Sequence, residues 1–265
     1  GDVYKRHQTH NVFTHFPKCN SCDYCVTYKN QRDSKVANNT RALNDADIPA
    51  PTKFGDAVIA DHKIIGPTHE SGDGDRVCLL LVDRFTRWLC AYPAKTKEKQ
   101  EVIKAFKDFQ GIRSTIQHVY SDNSEELRSA LVELDVPHDR CVPHRSETNG
   151  VIERAIRHVR EGTAVILAQS GFSQAWWNRA IQFFCFMRNV HDILINGKTA
   201  YEERVSIKFE AEFIPFGALV RYTARTTQEK SDVHPFGDRR LEALFVAYGQ
   251  NTAGGYNGKL KLIKC

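Results

Sequence analysis

The stretch RVCLLLVDRFTRWLCAYPA (76–94) holds two apolar runs on either side of a short polar turn. Residues 76–85 are almost continuously apolar, which is typical of a strand that is buried on both faces. Residues 87–94 follow at once and carry aromatic and small side chains that fit a pleated surface. The short connection predicts that the two strands pair across a tight turn.

The segments on either side of this pair alternate between strand and helix patterns. Val102, Ile103, Phe106 and Phe109 recur at helical spacing, and Gly111 follows where a helix would end. The predicted elements are strands at 56–65, 76–85 and 87–94, a helix at 97–110, a strand at 114–121, a helix at 124–135, a short strand at 137–143, and helices at 150–171 and 173–192. This order predicts a mixed five-stranded α/β sheet with helices, as in the ribonuclease H-like fold.

Three further segments surround this α/β core. Residues 1–26 hold a cluster of histidines and cysteines, which we interpret as a small zinc-binding module. Residues 27–53 are polar with two prolines and read as a linker. Residues 197–265 alternate between apolar and polar side chains with glycines between the runs, which predicts a small β-barrel-like module. The core would then span 54–196.

The composition is that of a folded chain, with 41% apolar and 26% charged side chains among 265 residues. The net charge of +5, from 37 basic and 32 acidic residues, permits a polyanionic partner without demanding one. The sequence has no run of about 20 apolar residues and no secretion leader, so we expect no membrane span. The chain starts at Gly1 and stops at Cys265 without an evident terminus, so we expect a segment of a longer polyprotein.

The eight cysteines are unevenly distributed. Three lie at positions 19, 22 and 25, and the others stand singly, mostly in apolar segments. This is not the spacing of a secreted disulfide framework. It predicts a reducing compartment, one metal cluster and several buried thiols.

Three acids stand where ligands gather in α/β sheets, at strand ends and helix starts. Asp61 lies near the end of the first predicted strand, and Asp122 directly follows the fourth. Glu153 follows Asn149-Gly150 and is predicted to lie in the first turn of the next helix. Each acid taken alone has an ordinary explanation as a turn former, a helix cap or a partner of the helix dipole.

The combination of these acids indicates a different role. Hard divalent cations such as Mg²⁺ prefer carboxylate oxygens. Two such ions, about 3.5–4 Å apart, activate the attacking oxygen and stabilise the leaving oxygen in phosphoryl transfer. Three carboxylates, on two strands and a helix, can bridge such a pair.

Several segments resemble the integrase region of retroviral and retrotransposon Pol polyproteins, in particular those of copia-type elements. The matching segments are ADH (60–62), LLLVDRFTRWLCAYP (79–93), YSDNSEEL (120–127), HRSETNGVIERAIRHV (144–159), GKTAYEER (197–204) and IPFGALV…LFVAYG (214–249). The resemblance covers nearly the whole chain. Its most specific part is the pairing of SDN with ETNGVIER.

This resemblance implies a DDE-type polynucleotidyl transferase and endonuclease, an integrase whose catalytic core would be the segment 54–196. Asp61, Asp122 and Glu153 would be its catalytic triad and would bind Mg²⁺ or Mn²⁺. Water would cut near each 3′ end of the element's DNA, and each freed hydroxyl would then attack target DNA. Asp83, at the matching VD position, is assigned a structural or secondary role.

The resemblance also implies partners and a location. The substrate would be double-stranded DNA, both element ends and target, and a homo-multimer is expected because two ends are handled together. The protein would act inside the cell, in the nucleus, with virus-like particles as a further setting.

Two features depart from the family pattern. Thirty residues (153 − 122 − 1) lie between Asp122 and Glu153, fewer than in the usual retroviral interval, and SDNSEE (121–126) replaces a glycine-rich continuation. Neither change removes a ligand, but both leave open a catalytically inactive, DNA-binding relic of the element. A ribonuclease H-like nuclease and a protein-interaction module built on the zinc finger stay open as well.

Arg157 and Arg160 follow Glu153 at helical spacings of four and seven residues, so all three share one helix face. We predict that the two arginines bind DNA phosphates beside the metals. A solvated Glu–Arg pair at i, i+4 explains the same pattern without DNA.

The segment HQTHNVFTHFPKCNSCDYC offers more ligands than a tetrahedral zinc site needs. They are His7, His10, His15, Cys19, Cys22 and Cys25. By resemblance to the His/His/Cys/Cys module of integrases, we assign a structural Zn²⁺ to His10, His15, Cys22 and Cys25. Cys19-x2-Cys22 is an equally good pair, and His7 could replace His10, so the ligand set stays open.

An aromatic cluster at 176–186 invites a nucleic-acid stacking interpretation. Its members are Trp176, Trp177, Phe183, Phe184 and Phe186. Because they lie in an apolar helical pattern, we predict that they pack in the core.

Overall fold

The three-dimensional structure is a computed structural model of the 265-residue chain. It describes residues 9–29, 50–121, 124–140, 146–234, 236–237, 239–252 and 254–264. Most of the predicted linker therefore lies outside the described residues, as does the candidate ligand His7. The predicted domain boundaries stay predictions.

The described residues form eight strands and seven α-helices. The strands are β1 (Val58–Ile64), β2 (Val77–Asp83), β3 (Leu89–Ala94), β4 (Val119–Ser121), β5 (His138–Arg140), β6 (Leu219–Thr223), β7 (Arg240–Gln250) and β8 (Tyr256–Lys264). The helices are α1 (Asp23–Tyr28), α2 (Lys99–Gln110), α3 (Glu125–Glu133), α4 (Ser146–Ser170), α5 (Trp177–His191), α6 (Ala200–Val205) and α7 (Thr227–Asp232). Two short 3₁₀ helices lie at Pro67–His69 and Gln174–Trp176.

The central sheet has five strands in the order β3-β2-β1-β4-β5. The β1–β2 and β2–β3 pairs are antiparallel, and the β1–β4 and β4–β5 pairs are parallel. An opening three-stranded meander continued by parallel crossovers is the layout predicted from the sequence. The predicted ribonuclease H-like core is therefore confirmed.

Helices cover both faces of this sheet. Every residue of β2 is buried, as its continuous apolar run predicts. Leu79 lines a small cavity together with residues of α2, whereas Leu80 lines a groove together with residues of α4. Neighbouring strand residues point to opposite faces, so α2 and α4 lie on opposite sides of the sheet.

The start of α4 differs from the prediction. The helix begins at Ser146, so Asn149 and Gly150 are helical residues and do not form a turn before the helix. Glu153 consequently lies two turns into the helix instead of in its first turn. The physical reason is that one internal glycine costs a helix only about 1 kcal/mol, which the twenty following residues outweigh.

Gly162 on α4 permits close packing against α5. A Cβ atom at this position would lie 2.0 Å from Cε2 of the Phe184 ring, far inside van der Waals contact. We expect Gly162→Ala to lower the free energy of unfolding by about 1–3 kcal/mol in urea titrations, although alanine is the better helix former. Gly72→Ala is the control, because its Cβ would meet only one atom, at 3.9 Å, and should change stability by less than about 0.5 kcal/mol. If Phe184→Leu fails to relieve the cost of Gly162→Ala, the packing explanation is wrong.

The aromatic cluster of α5 belongs to the core, as predicted. Trp177, Phe183, Phe184 and Phe186 are buried, and Trp176 is half-buried and stacks on Phe172. This core explains why the segment needs aromatic side chains without invoking nucleic acid.

The C-terminal β module is a three-stranded antiparallel sheet in the order β6-β7-β8. In the described residues it is an open sheet, because β6 and β8 pair only with β7. It packs on α5 through Phe245 against Phe183 and Tyr248 against Phe186. The sheet thus shares the hydrophobic core of the α/β layer.

The helices of the described residues include none that is both long and apolar enough to cross a bilayer.

Candidate metal centres

Asp61 lies in the middle of the central strand β1 and is half-buried. Its antiparallel partner on β2 is Leu80, so the two side chains share one face of the sheet. Leu80 lines a groove together with Ile156 and Val159 of α4. The carboxylate of Asp61 is therefore on the side of the sheet that α4 covers.

The strand beside Asp61 leads to the second acid of the predicted triad. Strand β4 runs parallel to β1, and Ser121 is the register partner of Ala60. The next residues along the two strands are Asp122 and Asp61. Asp122 itself lies outside the described residues, so its side chain is not placed.

Glu153 is part of α4, but its side chain also lies outside the described part of the chain. Helix α4 packs against β1 and β2, the strands that carry Asp61 and its cross-strand partner. The backbone thus brings together the elements of all three predicted acids, while the carboxylate geometry of the triad is untested.

Asp83 has a different environment from Asp61. It is fully buried at the end of β2 and accepts hydrogen bonds from the backbone N–H groups of Gly55 (2.9 Å) and Thr86 (2.7 Å) and from the Thr86 hydroxyl (2.8 Å). Burial raises the pKa of its carboxyl group despite these donors. Its contacts make it the organiser of the β2–β3 turn, which supports the structural role assigned from the sequence.

A groove of about 700 Å³ runs along α4 beside Asp61. Its floor is apolar and includes Ile156 and Leu167, while Lys63 and Arg160 stand exposed at its rim. Arg157 is also exposed on α4. Both arginines predicted to bind DNA thus have solvent-accessible side chains, which is necessary for that role but does not test it.

The N-terminal cluster brings four predicted zinc ligands together. One ligand atom from each of His10, His15, Cys22 and Cys25 lies within 4.8 Å of every other. Nδ1 of His15 is 3.5 Å from Sγ of Cys22 and 3.9 Å from Sγ of Cys25. Zinc bonds of about 2.0–2.3 Å give tetrahedral edges of about 3.6 Å, so these distances fit the ion.

Each histidine of the cluster has one ring nitrogen within hydrogen-bonding distance of an acceptor, so only its second ring nitrogen is available to a metal. Nδ1 of His10 lies 2.7 Å from the carbonyl oxygen of Pro17, and Nε2 of His15 lies 3.4 Å from Oε1 of Gln169. Each acceptor takes the ring N–H, leaving Nε2 of His10 and Nδ1 of His15 as ligands. Burial lowers the pKa of His15 to about 4, so its ring is neutral at pH 7, as a zinc ligand must be.

Of the two competing ligands that the sequence left open, the structure describes only Cys19. Cys19 is outside the cluster, and its Sγ lies 3.0 Å from the hydroxyl oxygen of Ser21. His7 lies outside the described residues. The described cysteines are all free thiols, and Cys78 and Cys185 are buried in the core, as the prediction of buried thiols requires.

The zinc-ligand segment is fastened to the α/β core by buried polar contacts. The Thr14 hydroxyl donates to Oδ1 of Asp192 at 2.6 Å, just beyond the end of α5. Lys29 is buried and donates to the carbonyl oxygens of Thr14 and His15 at 3.0 Å each. Burial lowers the pKa of Lys29. The Lys29 contacts lie within the N-terminal segment itself. Sequence patterns gave no sign of Gln169 or Asp192, because their contacts join residues 154 and 178 positions apart in the chain.

The sheet order, the α4-covered Asp61 and the N-terminal His/Cys cluster define a ribonuclease H-like protein with an attached candidate zinc module. No model of a known protein family matches the chain. It is 27% identical over 247 residues to the retrovirus-related Pol polyprotein from transposon TNT 1-94 of Nicotiana tabacum, covering 88% of this chain and 17% of that protein. A second relative, from transposon RE2 of Arabidopsis thaliana, is 30% identical over 125 residues, 44% of this chain and 8% of that protein. These matches confirm the predicted resemblance to the integrase region of a retrotransposon Pol polyprotein, of which the chain spans only a small part.

Solved structures of retroviral integrases are also similar, at low identity. The HTLV-2 integrase catalytic core domain in complex with magnesium is 16% identical with a TM-score of 0.45, and the match covers 57% of this chain and 97% of that one. The simian T-cell lymphotropic virus intasome chain is 13% identical with a TM-score of 0.45, covering 84% and 83%. The fold assignment rests on the strand order and pairing described above.

Proposed function

We propose that the chain is a retrotransposon integrase that processes the 3′ ends of element DNA and transfers them into target DNA, using divalent metal ions. The observation that supports this proposal is the parallel β1–β4 pair, in which Ala60 and Ser121, the residues just before Asp61 and Asp122, are register partners. Helix α4 packs against β1. Asp61 is half-buried in the middle of β1 and not near the strand end as predicted, on the face of the sheet that α4 covers.

Asp61, Asp122 and Glu153 would hold the catalytic ions. Carboxylates are the donors that Mg²⁺ and Mn²⁺ prefer, and a half-buried acid on a rigid strand holds its ligand atom in place. When bound, the ions supply activation of the attacking oxygen and stabilisation of the leaving oxygen.

Exposed cations around this site would bind the DNA backbone. Arg157 and Arg160 project from the same helix as Glu153, and Lys63 follows Asp61 on the same face of β1. Phosphate contacts of this kind position the duplex without reading its sequence. Two DNA ends must be joined to one target, so the active form would be a homo-multimer, acting in the nucleus.

His10, His15, Cys22 and Cys25 would hold a structural Zn²⁺. Four ligands with no open position match a structural and not a catalytic zinc site. The ion's role would be to order the segment that packs on α4 and α5.

The test is the joining of short duplexes that carry the element's own ends, with Mn²⁺ or Mg²⁺. We expect joined products from the wild-type protein and none from Glu153→Gln. Glu133→Gln is the matched control, because it removes a carboxylate that pairs with Lys99 at the surface of α3 and should leave joining unchanged.

The outcomes separate the integrase from the other classes of protein that fit the sequence. Equal products from the wild type and Glu153→Gln would remove Glu153 from the site. DNA binding without joining and without Mn²⁺ affinity would indicate a relic of the element. Cleavage of RNA–DNA hybrids without joining would indicate a ribonuclease H-like nuclease.

A further inference from the structure

The two histidines of the zinc cluster differ in the hydrogen-bond partner of the ring nitrogen that is not available to the metal. His10 uses the Pro17 carbonyl, seven residues away in the same module. His15 uses the Gln169 side chain, which lies 154 residues away on core helix α4. His15 is almost completely buried, whereas Gln169 is half-buried, so the contact lies at the edge of the core. The groups that hydrogen-bond to the predicted zinc ligands therefore come from both the N-terminal module and the core.

We propose that Gln169 is a positioning residue for zinc binding, through which zinc affinity and the stability of α4 are coupled; this inference rests on the proposed structural zinc. A cation on Nδ1 of His15 polarises the ring and makes its Nε2–H a stronger donor to Oε1 of Gln169. The same acceptor holds the ring in the tautomer and orientation that present Nδ1 to the two cysteines.

Neighbouring contacts give this link a rigid frame. Phe13 packs against both His191 and Phe213, and its ring centroid lies 5.6 Å from the first ring and 5.4 Å from the second. Thr14 is bonded to Asp192, as described above. The backbone on the N-terminal side of His15 is thus fixed to the core, so a movement of the ligand cannot be absorbed by a loose hinge there. Since coupling between two equilibria is reciprocal, zinc stabilises α4 and a firmly packed α4 tightens zinc binding.

The test compares zinc affinity, by competition with a chromophoric chelator, in the full chain and three variants. Gln169→Met keeps the length of the side chain and its helix propensity but removes the acceptor. We expect it to weaken zinc binding by about 10-fold or more. Gln169→Glu retains an acceptor oxygen and should stay within about threefold of the wild type. Gln174→Ala, an exposed residue in the adjoining 3₁₀ helix, is the matched control and should not change the affinity.

Hydrogen exchange of the C-terminal half of α4 supplies the second measurement. Zinc should slow exchange there in the wild type and slow it much less in Gln169→Met. Wild-type zinc affinity in Gln169→Met, or equal protection of α4 by zinc in both proteins, would overturn the inference. A wild-type chain that binds no zinc would instead overturn the proposed zinc role itself, so the two failures are distinguishable.

Discussion

We expect Asp61→Asn to lower the strand-transfer rate by at least about 10³-fold and to leave the free energy of unfolding within about 1 kcal/mol of the wild type. The amide keeps the shape of the side chain but removes the negative charge that a divalent cation needs. Losing one member of a group that acts as a unit removes most of the catalysis. The fold should persist, because Asp61 is half-buried and solvent reaches its side chain. Joining assays and urea titrations on the same preparations measure both quantities.

Asp83→Asn is the control, and its expected result is the opposite. Asp83 is fully buried and its carboxylate accepts three hydrogen bonds. In the asparagine variant, the NH₂ group replaces one acceptor oxygen and faces donors that it cannot pair with. The expected loss of stability is about 1–3 kcal/mol, with the rate per folded molecule within about threefold of the wild type. If Asp83→Asn abolished joining in folded protein and Asp61→Asn did not, the two strand acids would have been assigned the wrong way round.

We expect Cys22→Ser to abolish stoichiometric zinc binding and Cys19→Ser to leave one zinc per chain. Both cysteines belong to a Cys-x2-Cys pair, but only Cys22 has its Sγ within 4.8 Å of the other three ligand atoms. A structural zinc site contributes several kcal/mol to folding, so Tm should fall by at least about 5 °C in Cys22→Ser. Metal analysis after dialysis and thermal unfolding measure these effects. Zinc loss in Cys19→Ser with retention in Cys22→Ser would show that the ligand set is wrong.

Local sequence patterns were sufficient for the elements whose stability is local. The continuous apolar run of β2 and the apolar face of α2 correspond to buried surfaces in the structure. The order of these elements then leaves few ways to build a mixed sheet, so the core could be predicted. The start of α4 could not be predicted. Gly150 resembles a helix boundary in the sequence, but the packing of the rest of the helix outweighs its cost.

Contacts between distant segments left no local pattern. The segment GKTAYEER (197–204) is one example: it forms α6, where Thr199 and Glu202 cap the helix reciprocally. Its Arg204 lies 3.5 Å over the Phe54 ring and donates to Ser114 and Gln110 at 2.8 Å each. The charged side chain of Arg204 in this motif therefore has a structural role, because it joins α6 to distant parts of the core. Gln169 is a second example, since only the fold brings it to His15.

The proposal that Asp61 and Glu153 act in one site is best tested by the strand-transfer rate of the variant that carries both changes. Strand transfer is measured with Mn²⁺ for the wild type, for Asp61→Asn, for Glu153→Gln and for the two changes combined. We expect each single variant to fall to a similar residual rate and the double variant to be no slower, because losing one metal ligand already removes most of the catalysis. Losses that multiply in the double variant, or a single variant with the wild-type rate, would contradict a shared site.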